Sequence, residues 1–129
     1  FSEVRVGVSP AVISVVCLAK LHPAVARELL LTGERVSAQR MLDAGMLNAV
    51  VPDEGLDATV AAYVDALRLG GPTAVRRTKE LLRRVPALPR DEAFAWTSEL
   101  SASLFSSDEA REGMTAFFER RRPSWAPPA

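Results

Sequence analysis

The chain has 129 residues, room for one compact domain and too few for two ordinary ones. Its composition, 48% hydrophobic and 25% charged, is that of an ordinary globular protein. Sixteen basic residues balance sixteen acidic ones, so no net field draws the chain to nucleic acid or to an anionic membrane.

Ser2 to Val6 alternates small or charged residues with valine and reads as a half-exposed strand. The chain begins at Phe1 rather than methionine, in what reads as mid-protein, so an N-terminal part of a longer protein is expected ahead of it. Gly7-Val8-Ser9-Pro10 turns the chain, with Ser9 as N-cap and Pro10 at the first helical position. The apolar run Ala11 to Leu21 carries two signals. Its β-branched residues favour a strand, the cap and proline favour a buried helix, and the reading taken is helix. The longest apolar run, about Ala11 to Ala19, is too short to span a bilayer and has no basic leader. Cys17, within it, is the single cysteine. It excludes an internal disulfide and a cysteine metal cluster, reads as a buried inert thiol, and is compatible with the cytosol.

Pro23 starts the next helix, with His22 as a helix-start residue rather than a base, and Gly33 stops it. Ser37 caps a short helix that ends at Gly45, and Leu47 to Val51 is a second strand candidate. Beyond it the chain reads as helices. Leu56, Val60, Tyr63, Val64 and Leu67 form one apolar stripe. Gly70-Gly71-Pro72 breaks that helix and opens another whose Val75, Thr78, Leu81, Leu82 and Val85 face a core, until Pro86 and Pro89 end it. A helix from about Asp91 carries Phe94, Thr97, Ser101 and Leu104 on one face. In the last helix Ser106 and Glu109 have capping-box spacing, followed by an apolar stripe through Ala110, Gly113, Met114, Phe117 and Phe118. The tail from Ser124 reads as frayed.

Three blocks, in this order, carry a family likeness. The first is Ser2-Glu3-Val4-Arg5-Val6-Gly7-Val8-Ser9-Pro10. The second runs from Leu29 to Pro52 and includes Thr32-Gly33-Glu34, Ser37-Ala38-Gln39 and Ala44-Gly45-Met46-Leu47-Asn48-Ala49-Val50-Val51. The third is Ser107-Asp108-Glu109-Ala110-Arg111-Glu112-Gly113-Met114-Thr115-Ala116-Phe117-Phe118-Glu119-Arg120-Arg121-Arg122-Pro123. Together they resemble the C-terminal half of the enoyl-CoA hydratase/isomerase (crotonase) family over essentially the whole chain. The resemblance implies an α/β fold, a ββα spiral, of which this chain would be the mostly helical C-terminal part with one or two short strands. Residues 1–52 would close the spiral core, and 53–129 would form a helical region that oligomerises and touches coenzyme A.

The resemblance further implies an acyl-CoA enzyme, foremost a hydratase of 2-enoyl-CoA thioesters, with a double-bond isomerase on the same scaffold as the alternative. Glu3 matches a family glutamate that manages protons. Water adds across an α,β-unsaturated thioester only if a base takes its proton and an acid protonates the α-carbon. A well-placed carboxylate contributes about 10²–10⁴ in rate, roughly 3–5.5 kcal/mol of barrier. The backbone oxyanion donors, each worth about 2.7–4 kcal/mol, belong in the family to earlier segments, so the chain by itself is expected to be inactive. Ser2, Val6 and Ala11 fall at substrate-binding positions beside Glu3. Ser2 replaces the usual proline, and Ala11 replaces a glycine that often lets water approach.

Phe117 and Arg120 match family positions that meet the adenine and the phosphates of coenzyme A, often of a neighbouring subunit. No metal and no resident cofactor are expected, since coenzyme A enters as the substrate thioester. A homotrimer or hexamer, a cytoplasmic location, and no nucleic-acid or membrane partner complete the expectation. Without the resemblance, Glu3 is an exposed strand carboxylate and Phe117 a core residue of its stripe. Arg120-Arg121-Arg122 is then a solvated helix end that suits the helix dipole. Arg76, Arg77, Lys79, Arg83 and Arg84 read as a solvated face, and Trp96 and Trp125 as packing residues. On that reading the chain is a non-catalytic helical oligomerisation module.

Overall fold

The computed structural model describes residues 1–128. Seven α-helices are present: α1 (Ala11–Cys17), α2 (Pro23–Thr32), α3 (Ala38–Asp43), α4 (Leu56–Arg68), α5 (Pro72–Arg84), α6 (Arg90–Phe105) and α7 (Asp108–Phe118). Short 3-10 turns cover Ser2–Val6, Asp53–Gly55 and Val85–Ala87, and the described residues contain no strand. The chain divides into two compact units at Thr59/Val60, within α4.

Both expected strands are therefore corrected. Valine alternation in Ser2–Val6 suits a strand only where a neighbouring strand pairs its backbone. Here the backbone satisfies itself instead: Gly7 N–H donates to the Val4 carbonyl at 3.3 Å and Val8 N–H to that of Glu3 at 3.0 Å. Leu47 to Val51 has no ladder either, and Leu47 N–H turns back to the Met41 carbonyl at 3.4 Å. The apolar run after Pro10 is helical, but only to Cys17. Ser9 does not cap it with its side chain; its carbonyl takes the Ala11 N–H at 2.7 Å.

The first unit has a small core of Cys17, Leu21, Ala26 and Ala44, with Leu29 also buried. His22 Nδ1 accepts the Ala24 N–H at the start of α2, and His22 N–H donates to the Ala44 carbonyl at 3.2 Å, joining that start to the end of α3. Ser37 Oγ caps α3 through the Arg40 N–H at 3.1 Å. Arg40 in turn reaches Glu28 of α2 at 3.2 Å.

The far end of α2 sets the position of the Ser2–Val6 turn. Gly33 closes the helix in the left-handed region (φ 63°) and donates to the Leu29 carbonyl at 3.0 Å. A Cβ there would lie 2.9 Å from Val4 Cγ1, 3.1 Å from Arg5 Cγ and 3.2 Å from the Phe1 carbonyl. Both the backbone angle and the contact thus demand glycine. The Thr32 carbonyl, left unpaired by the helix end, accepts Arg5 Nε at 2.9 Å.

In the second unit, Glu109 and Trp125 make the long-range ties. Ser107, not Ser106, caps α7, accepting the Ala110 N–H at 3.1 Å. Glu109 does not complete a capping box on its own helix. Its carboxylate crosses to α5 and accepts the Thr73 N–H at 2.9 Å and the Ala74 N–H at 2.8 Å, the exposed donors of that helix's first turn. Trp125 Nε1 donates to the Leu69 carbonyl at 3.2 Å, and its ring lies where a side chain on Gly113 would stand. The tail expected to fray from Ser124 is therefore tied down at Trp125, and its last residue, Ala129, lies outside the described residues. The apolar stripes are less buried than their spacing suggests: Leu56, Val60, Tyr63, Val64, Leu67, Leu82 and Phe94 are all exposed.

Two expectations follow. Gly33→Ala combines a strained φ with a clash against Val4, so a urea or thermal melt should show a loss of more than about 1 kcal/mol. Glu109→Ala uncaps α5 from outside and should cost about 0.5–2 kcal/mol near neutral pH. Partial burial raises the Glu109 pKa, but the Thr73 and Ala74 N–H bonds outweigh it and hold the carboxyl below its ordinary value. The wild-type advantage is thus present above the ordinary carboxylate range and disappears as acid protonates Glu109, so melts of the two proteins should converge at low pH.

Candidate functional site

Ser2, Glu3 and Val6 ride on one 3-10 turn, which lies against Gly33 and is tied through its own Arg5 to the Thr32 carbonyl, and Ala11 opens the helix that follows. Glu3 is half-buried. Its backbone carbonyl is used by Val8, whereas its carboxylate has no hydrogen bond or ion pair among the described residues. A carboxylate not spent on an internal hydrogen bond or cation is left to meet a substrate. Ser2, Val6 and Ala11 are themselves exposed.

Phe117 and Arg120 lie in the other compact unit, at the end of α7. Phe117 is not core. It is 79% exposed and Phe118 80%, the two rings meeting edge to face at 5.8 Å. Such a pair presents aromatic surface outward, where a planar group can stack.

The three arginines that follow have separate fates. Arg121 forks onto Glu112, with its two terminal nitrogens 2.7 and 2.9 Å from the two carboxylate oxygens, and reaches Glu119 through Nε at 2.6 Å. Arg122 donates to the Pro127 carbonyl at 2.8 Å. Arg120, in the left-handed region at φ 55°, has no side-chain partner among the described residues. An exposed, uncommitted guanidinium can take a phosphate, and an exposed aromatic ring a planar base.

The supporting charges are distinctive. Glu112 receives the Arg121 fork and the Ser124 N–H, which hold its carboxyl down to about 2. Arg121 is correspondingly raised, through its bonds to Glu112 and Glu119. In the basic cluster of α5, the Arg77 hydrogen bond lowers the Glu80 carboxyl, and Arg84 lies 3.7 Å from Glu80. Arg84 also covers the Trp96 ring at 4.3 Å. These are surface pairings of the kind expected on a solvated face.

A groove of about 300 Å³ in the second unit is lined by Ala74, Leu104, Phe105, Met114 and Trp125, with Ser107 and Glu109 at its edge. It contains no free chemistry. The Ser107 hydroxyl is engaged with Leu104 and Ala110, and the Glu109 carboxylate with Thr73 and Ala74. Among the described residues no group of three His, Cys, Asp or Glu side chains is placed to hold a metal ion. No helix there is long and apolar enough to cross a membrane.

Arg5 and Glu112 carry no role in the sequence, Arg121 reads there only as part of a solvated helix end, and Gly33 reads as a helix stop alone. The Glu112–Arg121 link leaves the helical spacings of three and four. Its one signal was an acidic residue before Gly113 and a run of arginines before Pro123.

The family model described as enoyl-CoA hydratase/isomerase matches residues 1–128. The enoyl-CoA hydratase EchA19 of Mycobacterium tuberculosis is 33% identical over 125 residues, covering 96% of this chain and 47% of its own length. The carnitinyl-CoA dehydratase of Citrobacter koseri is 31% identical over 128 residues, 95% of this chain and 49% of its own. The chain thus spans about half the length of the curated relatives it matches. Among solved structures, an enoyl-CoA hydratase/isomerase from Marinobacter aquaeolei superposes with a TM-score of 0.90 at 30% identity, over 97% of this chain and 48% of that one. An enoyl-CoA hydratase from Mycobacterium smegmatis superposes at 0.88 and 31% identity, over 96% and 48%. With the matched residues running from the Glu3 turn through the Phe117–Arg120 helix end, this chain belongs to the enoyl-CoA hydratase/isomerase family.

Proposed function

We propose that the protein hydrates 2-enoyl-CoA thioesters and that Glu3 handles the proton. The observation that carries this reading is the half-buried Glu3 carboxylate, unpaired among the described residues and fixed over the end of α2. In the reaction the water oxygen bonds to the β-carbon as the π pair moves toward the thioester oxygen, and a proton then arrives at the α-carbon. Glu3 as a carboxylate accepts a proton from water, and as an acid returns one to carbon. By the family resemblance, the backbone N–H groups that hold the thioester oxygen belong to segments preceding those matched here. Relatives named for hydration and for dehydration fit the same water transfer run in opposite directions.

Substrate binding divides in this reading. Ser2, Val6 and Ala11 border the acyl end, Phe117 stacks on adenine, and Arg120 meets phosphate. Coenzyme A arrives with the substrate, so no resident cofactor is invoked. The outward Val12, Val15, Leu82, Phe94 and Phe105 side chains support a homotrimeric or hexameric assembly. A buried lone thiol, Cys17, is in keeping with the cytoplasm. Ala11, which adds a methyl group where water would approach, favours double-bond isomerisation as the second reading.

The test uses the longest chain the gene encodes. Glu3→Gln should lower kcat for crotonyl-CoA hydration by about 10²–10⁴ with little change in KM. Wild-type turnover in that variant overturns the role of Glu3. Migration of the double bond without uptake of isotopically labelled water selects the isomerase.

A further inference from the structure

We infer that the Glu112–Arg121 ion pair, closed by the Ser124 N–H, is a positioning latch that aims Arg120 at the phosphates of the coenzyme A nucleotide. The inference rests on the Arg120 contact proposed above.

The latch spans the end of α7. Glu112 stands on the helix, and Arg121 lies beyond it and grips both carboxylate oxygens. A two-pronged fork fixes the plane of the guanidinium as well as its distance. Glu112 Oε1 also accepts the Ser124 N–H at 2.8 Å, so one carboxylate holds the chain at two points after the helix. From the other side Glu119 takes Arg121 Nε.

Arg120 sits inside this closure. Its N–H donates to the Phe117 carbonyl at 3.2 Å, and that of Arg121 to the Ala116 carbonyl at 3.0 Å. The resulting φ of 55° is one that a residue with a side chain does not hold by preference. The latch supplies what holds it. With Arg121 and Arg122 committed to protein groups, Arg120 is the member of the run left to face a ligand. Glu112 and Arg121 touch no substrate in this assignment, which makes them positioning residues and limits their effect to the nucleotide end.

That limit provides the test. Binding of coenzyme A, and of pantetheine as the same molecule without its nucleotide, is measured by calorimetry on the longest chain the gene encodes. The proteins are wild type, Glu112→Gln, Arg120→Ala and the double variant. Each single change should weaken coenzyme A about tenfold, the loss of one charge-assisted contact. The double variant should bind no worse than Arg120→Ala, and pantetheine binding should stay unchanged. Weakening by Arg120→Ala but not by Glu112→Gln overturns the latch and leaves the phosphate contact standing. No effect of Arg120→Ala overturns the contact and the latch with it. Additive losses, or an equal loss for pantetheine, make Glu112 a general scaffold residue and overturn the positioning role. If Glu112→Gln does not fold, Arg121→Lys keeps the charge, loses the fork, and enters the same cycle.

Discussion

The Glu109 carboxylate accepts two backbone N–H bonds at the start of α5, carried there from the first turn of α7 across more than thirty residues of sequence. This bond type organises both units. Helix ends leave carbonyls and N–H groups without intrahelical partners, and each must find one. In the first unit Arg5 answers the Thr32 carbonyl and His22 N–H answers that of Ala44. In the second, Trp125 answers that of Leu69. Fully buried apolar residues are few, chiefly Cys17, Leu21, Ala26, Leu29, Ala44 and Ala116. Within each unit these directional ties fix the angle as well as the distance between the groups they join.

Punctuation was the legible part of the sequence. Pro23, Gly33, Ser37, Gly45 and Pro72 act within a residue or two of their own position, so helix limits at these points follow from local chemistry, whereas the cap of α7 falls on Ser107, one residue past the Ser106 that the spacing to Glu109 suggests. What required distant partners was not legible. Period-two alternation in Ser2–Val6 is a strand signal only where another strand supplies hydrogen bonds, and among the described residues none does. Glu109 has the spacing of a capping box, but the Ser107 hydroxyl already serves the first turn of α7, leaving the carboxylate for α5. The stripe ending at Phe117 predicts a buried face, yet the last turn of α7 projects its two rings outward. Periodicity identifies a face and is silent about what covers it.

The candidate site was legible through residue identity, not through its support. Glu3, Phe117 and Arg120 are marked by the family blocks. The groups that hold them follow from geometry alone. Gly33 is needed because Val4 and Arg5 pass within contact distance, and Arg5 because a helix-end carbonyl lies beside it. Reactive groups are identified by chemical type, whereas their supports are generic residues that gain a role from the chain brought next to them.

The Glu112–Gly113 pair joins both themes. Its glutamate faces the arginine that follows the helix, and its glycine faces the Trp125 ring, whose nearest atom would be 3.2 Å from a Cβ. The two adjacent residues thus receive the returning tail at two places, by charge at Arg121 and Ser124 and by shape at Trp125. The two contacts support each other: an exposed ion pair is weak when its partners are mobile, and the Trp125 ring, bonded through Nε1 to the Leu69 carbonyl, holds the tail beside it. Anchored together, they shorten the loop each must close and reduce the entropy lost on ordering the other. The strained backbone of Arg120, which neither contact touches, is held in place by what stands before and after it.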